Sequence, residues 1–86
     1  MIQKLKTPVT VSLLYDHHSR TVVPQHVVFD GREYPIVRTG MHHTYREGRT
    51  LFHVFSVASN AIFFRLVLNT DTLAWILEEV ADGESN

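Results

Sequence analysis

The chain has 86 residues, with eight Lys and Arg against nine Asp and Glu, six His and no Cys. That length suits a single domain with a small core, because a chain of this size buries roughly 60–65 % of its unfolded surface. The absent cysteines exclude disulfides, thiolate nucleophiles and cysteine-based zinc sites together, and a formal charge of −1 lacks the strongly basic balance of a dedicated nucleic-acid binder.

Residues 1–7 are basic and read as a loose lead-in. No long apolar run follows, so neither a signal peptide nor a membrane span is expected. With no cysteine to oxidise, the expected setting is the cytoplasm. From Pro8 to Tyr15 the sequence alternates, with Val9, Val11 and Leu13 on one side and Thr10, Ser12 and Leu14 on the other. That period of two, rich in β-branched residues, is a strand. Asp16-His17-His18-Ser19-Arg20 is a polar turn, and Thr21 to Phe29 is a second strand interrupted by Pro24.

Asp30-Gly31 between two apolar runs is the clearest signal in the chain. A type I′ turn needs positive φ at both central residues, which Asp and Gly tolerate best. A two-residue loop there pairs Phe29 with Arg32, Val28 with Glu33, Val27 with Tyr34 and Gln25 with Ile36. Residues paired across strands share a face. Val27, Phe29, Tyr34 and Ile36 are therefore expected inside, and His26, Val28, Glu33 and Pro35 outside. Pro35 cannot donate to a ladder, so an edge or a bulge is expected beside it.

The third strand runs from Arg32 to about Arg38 and, after a bulge or bend at Gly40, on to Tyr45. Arg46-Glu47-Gly48-Arg49 turns the chain into a fourth strand, Thr50 to Ala58. A loop at Ser59-Asn60 pairs Val57 with Ile62, Phe55 with Phe64, His53 with Leu66 and Leu51 with Leu68. The same parity carried past Asn69-Thr70-Asp71-Thr72 sets Leu73, Trp75 and Leu77 against them. Residues 72–81 also fit an amphipathic helix, with Leu73, Ile76, Leu77 and Val80 at helical spacing and Gly83 as a cap. The short connection favours the strand. Residues 82–86 read as a loose tail. The expected fold is all-β: an antiparallel meander of five or six strands, rolled or barrel-like, which limits exposed edges.

Phe29-x-Gly31-Arg32-x-Tyr34-Pro35-Ile36-Val37, His42-His43, His53-Val54-Phe55-Ser56-Val57, Phe64-Arg65-Leu66 and Trp75-x-Leu77-Glu78-Glu79-Val80-x-Asp82-Gly83 form a spaced pattern. It resembles a family of short uncharacterised bacterial proteins with a Gly-Arg-x-Tyr hairpin and a late Trp-x-Leu segment. The likeness runs from Val27 to Gly83. It implies a small, mostly β domain with a strand at the tryptophan, and no established activity, so it transfers no functional residue.

Chemistry is sparsely signalled. Adjacent histidines on a strand point to opposite faces, so His17-His18 and His42-His43 are not chelates in themselves. A loop at Glu47-Gly48 would set His42 opposite His53, on the face of Leu51 and Phe55. Those two are the candidate metal ligands, but no third ligand and no His-Glu-x-x-His signature accompany them. No serine has a Gly-x-Ser-x-Gly context, no glycine-rich phosphate loop is present, and Asp16 beside His17-His18 reads as a solvated turn. No enzymatic activity and no cofactor are expected.

The expected role is a non-enzymatic binding module that takes protein partners, itself included as a homodimer. The expected surface is Phe52, Val54, Phe63, Arg65 and Val67, on the face away from the core, since an exposed apolar patch marks an interface. The alternative is single-stranded nucleic acid, bound through Arg32, Arg38, Tyr45, Arg46 and Arg49, because small barrels bind bases on aromatics flanked by cations. From Asp71 onward the sequence holds five acidic residues and no Lys or Arg, so a basic surface in the middle of the chain would stand beside an acidic tail.

Overall fold

In a computed structural model, which describes residues 2–82, Asp30 and Gly31 reverse the chain with φ of 55° and 74°. The expected pairs form: Phe29 with Arg32, Val28 with Glu33 and Val27 with Tyr34. The Ile36 N–H donates to the Gln25 carbonyl at 2.8 Å, one step further along. Val27 is fully buried, and Phe29, Tyr34 and Ile36 pack on the same core. On the opposite face His26 lies 3.8 Å from Glu33 and 3.3 Å from the Ser12 hydroxyl.

Eight strands follow in order: β1 (Ile2–Pro8), β2 (Thr10–Asp16), β3 (Thr21–Phe29), β4 (Arg32–Pro35), β5 (Arg38–Glu47), β6 (Thr50–Ser59), β7 (Ile62–Asn69) and β8 (Trp75–Asp82). They make two antiparallel sheets, one ordered β1-β8-β7-β6-β5 and the other β2-β3-β4. No helix occurs among the described residues, so the fold is all-β.

Two bends explain why eight strands stand where five or six were expected. At Val9 and at Ile36-Val37 the chain leaves an edge of one sheet and joins an edge of the other. Ile36 still donates to β3, whereas Val37 already donates to the Ala58 carbonyl of β6 at 2.9 Å. Val9 donates to Trp75 at 3.1 Å, and Thr10, the next residue, pairs with Val28 in the other sheet. Such corners let two sheets wrap one core. The meander is thus rolled, but the ladders stop at the corners and no barrel closes. A proline precedes each corner, Pro8 and Pro35, where a residue without an N–H ends a ladder at no loss.

The third proline marks a bulge. Ser12 pairs with His26 but Leu13 pairs with Pro24, which leaves Gln25 as the extra residue. Strand β3 therefore runs unbroken through Pro24, which is fully buried. Gly40 lies in the predicted bulge of β5, where pairing steps from Thr39–Val57 to His42–Phe55. Pro35 sits on β4, an edge strand, as its missing donor requires.

The other corrections share one cause. The β6–β7 loop is Asn60-Ala61, with Asn60 at φ 55°, so Val57 pairs with Phe64, Phe55 with Leu66 and His53 with Leu68. The β5–β6 loop is Gly48-Arg49, so Thr44 rather than His42 pairs with His53. Moving a two-residue loop by one position slides partners by two, and a slip of two keeps every side chain on its face. Phe55, Val57, Phe64, Leu66 and Leu77 consequently all reach the core with Val27.

Three expectations at the ends change. Residues 2–8 are no loose lead-in: β1 pairs with β8, and Leu5 packs on the core. Residues 72–81 form no helix. The strand loses its alternation at Glu78-Glu79 because a bulge there steps pairing from Leu66–Leu77 to Arg65–Glu79, which returns Val80 to the inner face. Leu73 is not core; it is 69 % exposed at φ 65°. The Asn69 side chain accepts from the Asp71 and Thr72 N–H groups and holds that residue in the turn. Asp82, expected in the tail, ends β8, and the rest of that tail lies outside the described residues.

Candidate functional site

At the end of the sandwich away from the Asp30-Gly31 turn, a cleft of about 440 Å³ opens between the sheets. The bulge at Gln25 shapes it. By stepping β3 one residue, it turns Pro24 and Val22 toward the opposing sheet, onto the face that Leu13 already shares with Val9 and Val11. Phe55 and Leu68 line the other wall, and Arg20 and Thr21 stand where the β2–β3 turn meets the cleft.

His42 and His53 are the polar centre of this cleft. The slipped register places them diagonally rather than directly opposite, and the His42 Nε2 lies 2.8 Å from the His53 Nδ1. One nitrogen carries the proton and the other accepts. The His42 ring also stacks on Phe55, with centroids 4.1 Å apart and planes 14° from parallel. Burial lowers the His42 pKa below its ordinary value, and the neighbouring His53 and His43 lower it further. The His42 ring is therefore held toward its neutral form.

This fixes a sign for pH dependence. His42 binds its proton less tightly folded than unfolded, so below the ordinary value of 6.5 the unfolded chain carries more protons. Stability is full above that pH and declines as pH falls through the depressed folded value. The urea midpoint is expected to drop between about pH 7 and about pH 5, and to drop less in His42→Gln. A wild-type midpoint that rises on acidification contradicts the assignment.

For a metal ion the two imidazoles offer two ligands. No group of three or more His, Cys, Asp or Glu is gathered among the described residues. The His17 and His18 rings, 4.0 Å apart, stand on an exposed turn. Asp16 beside them accepts the His18 N–H at 3.0 Å and so acts as a turn-forming carboxylate.

The outer face of the five-stranded sheet differs from expectation. Phe52, Val54, Phe63, Arg65 and Val67 do lie on it, but it is not an open apolar patch. Tyr45 stacks on Phe52 at 5.0 Å, and the Arg65 Nε lies 3.5 Å from Glu78. Val54 and Val67 are 1 % and 5 % exposed, and only Phe63, at 38 %, is an exposed large apolar group of the five. The long side chains of this face cover Val54 and Val67 and leave Tyr45 and Phe63 exposed. Burial raises the Tyr45 pKa, Glu78 and Glu47 raise it further, and Arg65 partly opposes them.

The arginines are not brought together either. Arg49 lies in the β5–β6 turn with Tyr45 and Arg46 just before it, Arg38 starts β5 at its other end, and Arg32 begins β4 in the second sheet. Eight residues of strand separate Arg38 from Arg46, roughly 25 Å at ordinary strand rise. No continuous basic track joins them.

Comparison with protein-family models, with curated proteins and with solved structures found no match. The cleft residues Leu13, Arg20, Val22 and Leu68 carry no sequence signal as a site. Their meeting depends on the bulge at Gln25, at which Pro24 is the sole hint.

Proposed function

We propose that this chain is a non-enzymatic protein-binding domain whose first partner is a second copy of itself, joined along β2. The observation that supports this is a comparison of the four sheet edges. Natural edges are blunted by lysines, prolines, bulges or brevity. Strand β1 carries Lys4 and Lys6 and ends at Pro8; β4 has four residues and ends at Pro35; β5 is bulged at Gly40 and ends in Arg46-Glu47. Strand β2, Thr-Val-Ser-Leu-Leu-Tyr-Asp, has no lysine, no proline and no bulge of its own, since the extra residue of its ladder lies in β3, and its single charge is the terminal Asp16. It exposes Leu13, Leu14 and Tyr15 consecutively, at 42 %, 51 % and 61 %.

An antiparallel pairing of β2 with its own copy, centred on Leu13, joins two three-stranded sheets into one of six. The contact is small, which places it among weak, concentration-dependent associations. The cysteine-free sequence supports a cytoplasmic setting. Sedimentation between about 10 μM and about 1 mM tests the reading. The mass is expected to climb from 9.9 kDa toward twice that value. Leu14→Lys gives β2 the protection the other edges have, and is expected to stay monomeric with an unchanged far-ultraviolet spectrum. Wild-type protein that stays at the monomer mass throughout, or a Leu14→Lys variant that associates equally, overturns it.

A further inference from the structure

We propose that the cleft between the sheets binds a small carboxylic acid with a flat apolar body. Its volume of about 440 Å³ falls within the roughly 300–1,000 Å³ usual for small-molecule sites, which join apolar walls to a few polar groups. Leu13 and Val22 on one wall and Phe55 and Leu68 on the other suit an aromatic or alicyclic body.

The polar groups select the charge. Arg20 is the one cation of the lining, and no Asp or Glu lines the cleft. Among the described residues no carboxylate pairs with the Arg20 guanidinium. A guanidinium matches a carboxylate with two parallel hydrogen bonds. The histidine pair adds a second anchor. In the tautomers that satisfy this contact, one ring nitrogen donates and the other accepts, the two outer ring nitrogens are left over, and among the described residues neither ring has another hydrogen-bond partner. An acid is the ligand class that can use the apolar walls, the cation and an outer ring N–H together.

The test titrates 1-naphthoate, and separately its neutral counterpart 1-naphthalenemethanol, into methyl-labelled protein with EDTA present so that no metal ion bridges the imidazoles. The Leu14→Lys background keeps binding apart from self-association, since Leu14 lies on the face away from the cleft. Saturable shifts are expected at the Leu13, Val22 and Leu68 methyls, with the alcohol about tenfold weaker or more. Arg20→Asn removes the cation at a residue whose φ is 57°, a conformation Asn tolerates better than Arg, so the fold is retained. It is expected to reduce naphthoate binding to the level of the alcohol. Absence of saturable shifts at those methyls, equal binding of acid and alcohol, or naphthoate binding unchanged in Arg20→Asn would each overturn the proposal.

Discussion

Replacing Phe55 with alanine is expected to destabilise the fold by about 3–5 kcal/mol, and the same change at Phe63 by less than about 1 kcal/mol. Both are phenylalanines in the middle of the same sheet. Parity alone separates them. Phe55 is 1 % exposed, beneath the stacked His42 ring and 5.6 Å from the Trp75 ring centroid. Phe63 is 38 % exposed on the outer face. An 86-residue domain is stable by about 4–13 kcal/mol in all, so Phe55→Ala removes a large part of the total or all of it. Urea unfolding of the two variants side by side measures the difference. Equal losses would mean that the sheet has no preferred inner face.

The second large effect contrasts two changes of a single residue. Inserting one alanine between Leu66 and Val67 is expected to abolish folding. Strand β7 is paired on both sides, so an added residue there turns either the Phe64–Leu66 half or the Leu68 half to the wrong face. Exporting Phe64 and Leu66 forfeits about 1.5–3 kcal/mol each, before any loss from broken ladders. Deleting Glu78, in contrast, is expected to leave a folded protein. Glu78 is the extra residue of the β7–β8 bulge, and its removal leaves Leu77 opposite Leu66, Glu79 opposite Arg65 and Val80 opposite Phe64 in an unbroken alternation. What is lost is the local twist, the ion pair with Arg65 and the partner of Leu5 and Lys6 in the outer β1 ladder, which is an edge and can bulge further. Circular dichroism and thermal melts of both variants decide it; an unfolded Glu78 deletion beside a folded insertion reverses the account.

These effects also show what could be read without coordinates. The Asp30-Gly31 reversal was legible because two positive φ angles leave few residue choices. The inner layer of Phe55, Phe64, Leu66 and Leu77 was legible because strand parity survives a misplaced loop. The corners were not. Pro8 and Pro35 announce a missing donor, but a missing donor marks an edge, a bulge or a strand end alike, and nothing local says that the chain changes sheets there. Lys4 and Lys6 disguised β1, in which only Leu5 and Thr7 are part-buried. The histidine pair was half legible: His42 and His53 were placed on one face, while the cleft around them depends on the distant Gln25 bulge. The Phe52–Phe63 surface was legible as a face but not in its exposure, because Val54 and Val67 are buried there while Phe63 stays exposed.

Cross-sheet contact tests the central claim most directly, because face-to-face closure of the two sheets over one layer is what places the cleft, the corners and the free β2 edge. The Tyr34 ring of β4 lies edge-on to the Phe64 ring of β7, with centroids 5.1 Å apart. Nuclear Overhauser spectra of the Leu14→Lys monomer are expected to show strong cross-peaks between these two rings, and between the Val27 methyls and the Phe55, Phe64 and Leu77 side chains. Tyr34 cross-peaks to Phe63 or Phe52 in place of Phe64 would contradict it.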